Sequence, residues 1–354
     1  MKFDVFSLGE IAKIRYGKNQ KNVQSDNGDI PIYGTGGLMG YASRSLYNYP
    51  SVLIGRKGTI NKVRYVDHPF WTVDTLFYTE VNEELVIPKY LYYLMSLLDL
   101  DSYNEGTTIP SLRTETLNRL EFGIPDLDYQ EKVLSMLEPI DKKIKLNNEV
   151  NKNLEEQAQA IFKSWFVDFE PFNGNIPPDW KEYKLSEFLP VITGKKNANV
   201  SSISGLYPFF SCSQNLSWTD DYSFEGSAIL VAGNGDFNAK FYNGKFEAYQ
   251  RTYVLIPYNE KYTAWLYYAI KQNLKKITLA ARGSVIKFIT KGNLENFSFY
   301  APRDLDNFYI IDNFDATNNI IASNREENIR LSMLRDTLLP KLMTGELDVS
   351  NINL

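Results

Sequence analysis

The chain has 354 residues, 44% of them hydrophobic and 23% charged, which is typical of a folded protein with room for two domains. With one cysteine, Cys212, and one histidine, His68, a Cys/His zinc cluster is excluded, and any Ser-His or Cys-His catalytic pair would need that one imidazole. The sequence opens without a cationic segment followed by an apolar run, and no run of about 18 apolar residues occurs. We therefore expect a cytoplasmic protein.

The net charge of −5 is unevenly distributed along the chain. Residues 1–125 carry 13 Lys and Arg against 14 acids, and residues 126–175 carry 6 against 10. Residues 176–303 carry 15 basic against 10 acidic side chains, and residues 304–354 carry 4 against 9. Because local potential governs attraction to phosphates, the overall negative charge does not exclude a nucleic-acid partner.

The first block begins with spacing that predicts a short helix ending at Gly17. A glycine-rich loop follows at 34–40, and it is interpreted either as a flexible turn or as backbone that can lie against a ligand. It lacks the Lys-Ser/Thr of a P-loop, so nucleotide binding is rejected. Residues 51–66 predict a hairpin with a basic tip at Arg56 and Lys57, either solvated or in contact with phosphate. A strand, a buried helix, a polar loop with a capped helix start, and a closing strand are predicted next.

A long helix is predicted from Asp128 to Trp165, because its apolar residues follow a heptad. Its a and d positions are Val133, Leu137, Ile140, Ile144, Asn147, Asn151, Leu154, Ala158, Ile161 and Trp165. Pro139 would either kink this helix or begin a second segment. These a and d positions form a stripe along one face of the helix, and one such stripe alone is typical of an amphipathic core helix.

The same stripe recurs at a constant offset of 177 in the numbering, with its Asn interruptions in the same two positions. Its members are Ile310, Phe314, Thr317, Ile321, Asn324, Asn328, Leu331, Arg335, Leu338 and Leu342. The block after the 169–180 linker also repeats the first one, since Gly17, Gly58 and Pro125 match Gly194, Gly235 and Pro302 at this offset. Two matching stripes and two matching blocks predict an internal repeat with a paired coil.

The two blocks differ where polar loops are predicted. The glycine-rich loop is replaced by FSCSQNLSW from Phe210, and Arg56-Lys57 by Gly233-Asn234. TTIPSLR is replaced by SVIKFIT. A repeated scaffold with diverged polar loops suggests two similar contacts with two different targets.

This order of blocks resembles the specificity subunit of type I restriction-modification systems over essentially the full chain. The resemblance rests on two variable blocks, each followed by a long helix of one repeat class. It also rests on the glycine loops at Gly106 and Gly283 and on the ending LLPKLMTGEL from Leu338.

The resemblance implies an α+β fold with two repeated α/β target-recognition domains, separated by two long antiparallel coiled-coil helices with pseudo-two-fold symmetry. The expected boundaries are 1–125 and 171–303 for the recognition domains, 126–170 and 304–345 for the helices, and 346–354 for a tail. Each domain would read one half of a bipartite target in double-stranded DNA. A helix of about 38 residues would be about 57 Å long, the span of roughly 17 base pairs.

The resemblance also implies partners: two methyltransferase subunits and the restriction subunits. They would carry the S-adenosylmethionine, ATP and Mg²⁺ chemistry, so that this chain itself binds no cofactor and no metal and is not an enzyme. The sequence agrees in lacking an N-P-P-[FYW] motif and a Walker A motif. Two alternatives remain: a methyltransferase or nuclease fused to its own reader, or a protein-protein adaptor that binds no DNA.

The candidate DNA contacts are polar and basic residues of the diverged loops, since Arg and Lys suit guanine edges or phosphates and Asn and Gln suit adenine. In the first block they are Lys18, Asn19, Thr35, Tyr41, Arg56, Lys57, Thr107, Thr108 and Arg113. In the second they are Lys195, Lys196, Ser213, Gln214, Asn215, Asn234, Asn238, Arg282, Ser284 and Lys287. Solvated loop residues are the competing interpretation. We expect Arg282→Ala to weaken mainly one half-site and Lys195→Ala to weaken all sequences alike.

The four heptad asparagines are candidates for setting helix register. Polar residues at a positions fix register at a cost in stability, although these could instead lie at the margin of the stripe. The residues are Asn147, Asn151, Asn324 and Asn328.

Overall fold

A computed structural model describes residues 2–202, 205–279 and 287–350. The chain forms two compact units. One contains the chain up to Lys145 and again from Asn328 onward, and the other is Leu146–Glu327. Each unit therefore takes one part of each long helix. Within the described ranges, no helix is long and apolar enough to cross a membrane.

The first unit contains nine strands and three short helices before the first long helix. The strands are β1 Asp4–Ser7, β2 Ala12–Tyr16, β3 Ile30–Gly34, β4 Gly37–Ala42, β5 Ser51–Gly55, β6 Val63–Val66, β7 Trp71–Thr72, β8 Leu76–Val81 and β9 Glu121–Ile124. The helices are α1 Leu8–Ile11, α2 Pro88–Ser96 and α3 Thr114–Asn118. The sheets have the orders β2-β8-β5-β6, β4-β3-β7 and β1-β9.

The predicted helix up to Gly17 is wrong beyond its first turn. Only Leu8–Ile11 is helical, and Ala12–Tyr16 is a strand paired with β8. Ile14 fits a strand as well as a helix, because a short apolar pattern does not separate the two periods.

In its described residues, the second unit has eight strands and, besides the long helices, two α-helices. The strands are β10 Trp180–Lys184, β11 Val191–Thr193, β12 Tyr207–Phe210, β13 Ser217–Thr219, β14 Phe224–Ala232, β15 Ala239–Ala248, β16 Thr252–Leu255 and β17 Ser298–Pro302. The helices are α5 Thr263–Thr278 and α6 Lys291–Glu295. β10 pairs with β17, and the other strands form one sheet in the order β11-β16-β14-β15-β12-β13.

The repeat predicted at offset 177 is visible in the backbone hydrogen bonds. In the first unit Leu8 N–H donates to Leu120 O at 2.7 Å, and in the second Leu185 N–H donates to Phe297 O at 2.9 Å. The small antiparallel sheets match as well, because Asp4 faces Ile124 and Lys181 faces Ala301. Both members of each pair are displaced by this same offset, so the two blocks share one scaffold.

The two long helices are α4, Leu127–Phe166, and α7, Tyr309–Thr344. α4 continues through Pro139, whose ring is exposed. In the first unit, the start of α4 contacts the end of α7, since Tyr129 OH donates to Leu342 O at 3.3 Å. In the second unit, the ring centroid of Phe162, near the end of α4, lies 6.0 Å from that of Phe314, near the start of α7. Within each unit the helices therefore run antiparallel, as predicted.

Each unit has a core to which both long helices contribute. Val133, Leu137 and Leu342 are buried in the first unit, and Ala158 and Phe314 in the second. Burying one such large apolar side chain contributes about 1.5–3 kcal/mol.

The heptad assignment of Ile161 is wrong. Its side chain is 37% exposed, whereas Phe162 and Phe166 are buried. The stripe drifts here because an α-helix has about 3.6 residues per turn and a heptad requires about 3.5.

Candidate nucleic-acid interface

Diverged loops of the first unit meet at one place. Gly58 N–H donates to Pro110 O at 2.9 Å, and Leu112 N–H donates to Arg56 O at 3.0 Å. Arg56 N–H donates to Thr75 O at 2.9 Å, and Lys18 N–H to Thr72 O at 2.8 Å. We call the segments 17–19, 34–37, 55–60, 72–76 and 104–113 the first loop cluster.

The β3–β4 hairpin tip joins the first loop cluster through Arg64. The guanidinium donates from Nη2 to Thr35 O at 3.2 Å. A Cβ built on Gly58 would stand 3.9 Å from Thr35 Oγ1, so the hairpin tip and the basic tip are neighbours. Residues far apart in sequence thus form one polar surface.

The second unit repeats this arrangement at the same offset. Gly235 N–H donates to Lys287 O at 3.2 Å, and Ile289 N–H donates to Gly233 O at 2.9 Å. These are the counterparts of the bonds from Gly58 to Pro110 and from Leu112 to Arg56. We call the segments 194–197, 211–215, 233–238, 249–252 and 287–289 the second loop cluster.

Both tips use a left-handed glycine at the same repeat position. Gly58 has φ +87° and Gly235 has φ +70°. Side chains other than glycine rarely adopt this region, so the turn geometry depends on these residues. The scaffold of the two tips is therefore the same, while the side chains beside the glycine differ.

The basic side chains of the first loop cluster differ in the number of contacts that restrain them. Arg56 donates from Nη1 to Asp74 O at 2.9 Å, and its guanidinium lies 5.0 Å from the centroid of the Tyr16 ring. Arg113 forms an ion pair with Glu105 at 3.1 Å. Lys57 is exposed at the tip. Arg56 and Arg113 have fixed geometry suited to a directed contact, whereas Lys57 suits a phosphate.

Four other candidates of the first block are exposed: Asn19, Tyr41, Thr107 and Thr108. Asn19 accepts a hydrogen bond from Lys21 N–H at 2.9 Å, and Tyr41 lies on β4 beyond the tip. Thr107 and Thr108 lie in a turn that Asn104 shapes, since its Oδ1 accepts from the N–H groups of Gly106 and Ser111 at 2.8 and 2.9 Å. Their hydroxyls are presented by an ordered loop.

In the second loop cluster, side chains connect the neighbouring loops. Asn238 is buried, and its Nδ2 donates to Cys212 O at 2.9 Å and to Asp236 O at 2.8 Å. Gln214 donates from Nε2 to Asp236 Oδ2 at 2.8 Å. Because both amide hydrogens of Asn238 are used internally, this residue positions the cluster, while Gln214 and the exposed Asn215 are accessible to a ligand.

The remaining described candidates of the second block belong to the same cluster. Lys195 lies with its Nζ 5.3 Å from the centroid of the Phe224 ring. Lys196 O accepts from Gln250 N–H at 2.9 Å, and Asn234 forms a β-bridge with Phe288, next to the exposed Lys287. Arg282 and Ser284 lie outside the described residues. Contact with DNA stays a prediction for every residue of both blocks.

Two basic residues near the loops were missed by the sequence analysis. They are Arg64 on β6, which holds the first hairpin tip, and Lys240 on β15, which donates from Nζ to Ser213 O. Burial lowers the pKa of Lys240, and the neighbouring Cys212 opposes the shift. At offset 177, Arg64 corresponds to Phe241 and Lys240 to Val63. A comparison of the two blocks that included the strands as well as the loops would have identified both residues.

Three of the four heptad asparagines lie between the long helices in the second unit. Asn324 donates from Nδ2 to Asn151 Oδ1 at 2.8 Å, and Asn147 donates from Nδ2 to Glu327 Oε2 at 2.7 Å. Asn147 and Asn151 are buried. Their role in setting register stays a prediction, as does that of Asn328, which belongs to the first unit.

The chain matches known proteins in both sequence and fold. The family model described as the type I restriction modification DNA specificity domain matches residues 1–156 and 177–331. The EcoDI specificity subunit of Escherichia coli is 40% identical over 181 residues, which cover 49% of this chain and 40% of that subunit. The MjaIX specificity subunit of Methanocaldococcus jannaschii is 25% identical over 348 residues, covering 85% of this chain and 78% of that subunit.

A solved structure shows the same fold. The crystal structure of the type I restriction-modification S subunit from M. genitalium superposes with a TM-score of 0.65 at 16% identity, covering 97% of this chain and 96% of that one. The family model matches both repeated blocks and most of the chain. This chain belongs to the type I restriction-modification DNA specificity family.

Proposed function

We propose that this chain is the sequence-reading subunit of a type I restriction-modification complex, in which each loop cluster reads one half of a bipartite, asymmetric DNA target. The observation that carries the proposal is the pair of loop clusters. Their backbone bonds repeat at offset 177, whereas the side chains at the tips differ. One scaffold with two sets of polar side chains suits two related contacts with different base sequences.

The side chains available in the two clusters favour duplex DNA over a protein partner. Arg56, Lys57 and Lys195 can neutralise phosphates or contact guanine, and Gln214 and Asn215 can pair with adenine edges. Residues 176–303 carry 15 basic against 10 acidic side chains, so this part of the chain attracts phosphate although the whole chain is acidic.

We further propose that two methyltransferase subunits and the restriction subunits assemble on this chain. The S-adenosylmethionine, ATP and Mg²⁺ chemistry would belong to those partners. Support comes from family membership and from the acidic long-helix segment 126–175, with 6 basic against 10 acidic side chains, which suits protein contact better than phosphate contact.

Selection from a duplex pool tests the proposal. The chain, with and without methyltransferase subunits, is incubated with random duplexes, and the retained DNA is sequenced. We expect one bipartite sequence from the assembled complex. Arg56→Ala should alter retention through one half only, and Gln214→Ala through the other.

The alternatives give different results in the same assay. A protein adaptor would retain no sequence in any combination. A fused DNA enzyme would transfer methyl groups or cut DNA without any partner subunit. Lys2→Ala is a matched control, because it removes one charge from a side chain that is 84% exposed and lies outside the segments of both loop clusters.

A further inference from the structure

The two hairpin tips share a feature that polar readout does not explain. Met39 is 56% exposed beside the first loop cluster, and Leu216 is 48% exposed beside the second. The two residues are related by the offset of 177, so they occupy one position of the repeat. The loops around them have diverged in sequence, yet both present a large apolar side chain to solvent at this position.

The strand register confirms that the two positions are equivalent. In the first hairpin Ile32 pairs with Gly40 and Pro31 with Tyr41. In the second, Phe209 pairs with Ser217 and Pro208 with Trp218. The two pairs of the second hairpin stand at the repeat offset of 177 from those of the first. Met39 directly precedes Gly40, and Leu216 directly precedes Ser217, so Met39 and Leu216 occupy equivalent positions.

In the first hairpin, a β-bulge sets the direction of the Met39 side chain. The register shifts between Ile32 and Tyr33, so that Met39 is an extra residue in a β-bulge, a device that re-aims side chains. A Cβ built on Gly34 would stand 2.3 Å from Met39 Sδ, which places the Met39 side chain directly over this glycine. Leu38, also exposed, extends the apolar surface.

In the second hairpin, hydrogen bonds fix the loop that precedes Leu216. Asn238 Nδ2 donates to Cys212 O at 2.9 Å, Gln214 Nε2 to Asp236 Oδ2 at 2.8 Å, and Asn215 N–H to Ser213 Oγ at 3.1 Å. An apolar side chain on a loop that is fixed in this way loses little conformational entropy when it binds.

The surroundings indicate what these side chains meet. Arg64 lies beneath the first tip, and Lys240 donates to Ser213 O in the second. An exposed aliphatic side chain next to a cation suits duplex DNA, because Leu and Met are among the residues that insert between base steps while cations hold the backbone. A thymine methyl needs only a small apolar partner such as the methyl of Ala or Thr.

We propose that Met39 and Leu216 are apolar wedges, each of which enters the base stack of the half-site that its unit reads. The inference rests on the proposed function and adds a contact that is neither a base-edge hydrogen bond nor a phosphate contact. Each wedge would open one base step and so make that unit sensitive to how easily the step unstacks.

The test uses the chain assembled with its methyltransferase subunits and the duplex selected from the pool. 2-Aminopurine, whose fluorescence rises when it leaves the stack, is placed at each position of both half-sites in turn. We expect at least one position in one half-site whose rise is lost with Met39→Ala and kept with Met39→Leu. We expect the same in the other half-site for Leu216→Ala and Leu216→Met.

Affinity provides a second measurement. Each alanine variant should bind its target about tenfold more weakly, while the slope of log affinity against log salt stays unchanged, because no phosphate contact is removed. Val5→Ala is the control, since it trims an apolar side chain that is 68% exposed on β1.

Three results would overturn the wedge. One is fluorescence that rises equally in wild type and alanine variants at every position. Another is a loss of affinity accompanied by a lower salt slope, and the third is an equal loss with Val5→Ala. Failure of the proposed function is distinct, because the wild-type complex would then select no sequence from the pool.

Discussion

Lys195 lies in the second loop cluster, where its ammonium is 5.3 Å from the centroid of the Phe224 ring. Phosphate contacts carry no sequence information, so we expect Lys195→Ala to weaken binding to all sequences alike. It should also reduce the magnitude of the salt slope by about 0.9, the value for one phosphate contact on duplex DNA. Affinity titrations of the assembled complex at several salt concentrations measure both quantities.

The control for Lys195→Ala is Lys2→Ala, which makes the same charge change outside the segments of both loop clusters. A change confined to one half-site would show that Lys195 contacts a base instead. An unchanged salt slope would remove Lys195 from the interface.

At the residue scale, sequence comparison between the two blocks found loops but not their neighbours in space. Arg56-Lys57 and Gly233-Asn234 were located because they differ within a matching scaffold. Arg64 and Lys240 differ from their counterparts too, but they lie on strands, where an alternating pattern indicates pairing and not contact with a loop. The bonds from Gly58 to Pro110 and from Gly235 to Lys287 each close a long stretch of chain, which no local pattern encodes.

At the scale of elements, each unit contains a tyrosine hydrogen bond from a helix of its α/β block to a long helix. In the first unit Tyr93 OH donates to Asp141 Oδ2 at 2.6 Å, and in the second Tyr268 OH donates to Asn318 Oδ1 at 3.0 Å. Asp141 and Asn318 are again related by the repeat offset. The acceptor in the first unit is a carboxylate. Asp141 also forms ion pairs with Arg335 at 3.1 Å and Lys89 at 3.9 Å.

We expect Asp141→Ala to lower the free energy of unfolding of the first unit by about 2–3 kcal/mol, because it leaves a buried hydroxyl and two partly buried cations without their acceptor. Asp141→Asn keeps an acceptor for Tyr93 and should cost less. Chemical denaturation measures both. Asp336→Ala is the control, since it removes only the exposed carboxylate that pairs with Arg335 at 2.8 Å. Equal losses of unfolding free energy in Asp141→Ala and Asp336→Ala would contradict a stabilising contact between Tyr93 and Asp141.

The asparagine contact between the long helices gives a test of register in the second unit. Asn151 Oδ1 accepts from Asn324 Nδ2 at 2.8 Å. We expect the pair Asn151→Cys and Asn324→Cys, with Cys212→Ser, to form a disulfide under mild oxidation, because the two side chains meet. The displaced pair Asn147→Cys and Asn324→Cys, about one turn out of register, should not. Gel mobility with and without reductant distinguishes the two.

Equal crosslinking of both pairs would show that this layer does not define a single register. If only the displaced pair forms, the helices pair one turn away from the contacts described above.

The sequence predicted best the elements in which the apolar pattern repeats many times. Two long heptad stripes identified α4 and α7, and their antiparallel packing within each unit is confirmed by the contacts of Tyr129 with Leu342 and of Phe162 with Phe314. The short segment at Leu8–Tyr16 was misassigned, because so few apolar residues fit either period. The heptad assignment failed at Ile161, because the apolar face of the helix drifts from the heptad and buries Phe162 and Phe166 in the core instead.

At the scale of the whole molecule, the repeat is what made the fold predictable. A constant offset of 177 matched turn glycines, strand pairs and helix stripes, so each half of the sequence served as a control for the other. The DNA sequence to be read could not be predicted, because base choice depends on the orientation of loop side chains that differ between the halves.

Both units bury tyrosines, which makes the stability of the molecule sensitive to alkaline pH. Burial raises the pKa of Tyr65 to about 12, with Asp67 and other acids adding to the shift. Burial also raises the pKa of Tyr90 in the first unit and of Tyr268 in the second. An unfolded tyrosine has a pKa of about 10, so above that pH the unfolded chain releases protons that the folded chain retains. Stability is then present in full below about pH 10 and falls as pH rises toward about 12.

We expect Tyr65→Phe to reduce this alkaline loss, because it keeps the ring beneath Lys89, whose Nζ lies 4.6 Å from the Tyr65 centroid, and removes the ionisable hydroxyl. Urea unfolding at intervals between about pH 8 and about pH 12 measures the slope of stability against pH. Tyr258→Phe removes a phenol from a side chain that is 74% exposed and should leave that slope unchanged. Equal slopes for wild type and Tyr65→Phe would mean that Tyr65 ionises in the folded unit as readily as in the unfolded chain, and that its ring is open to water.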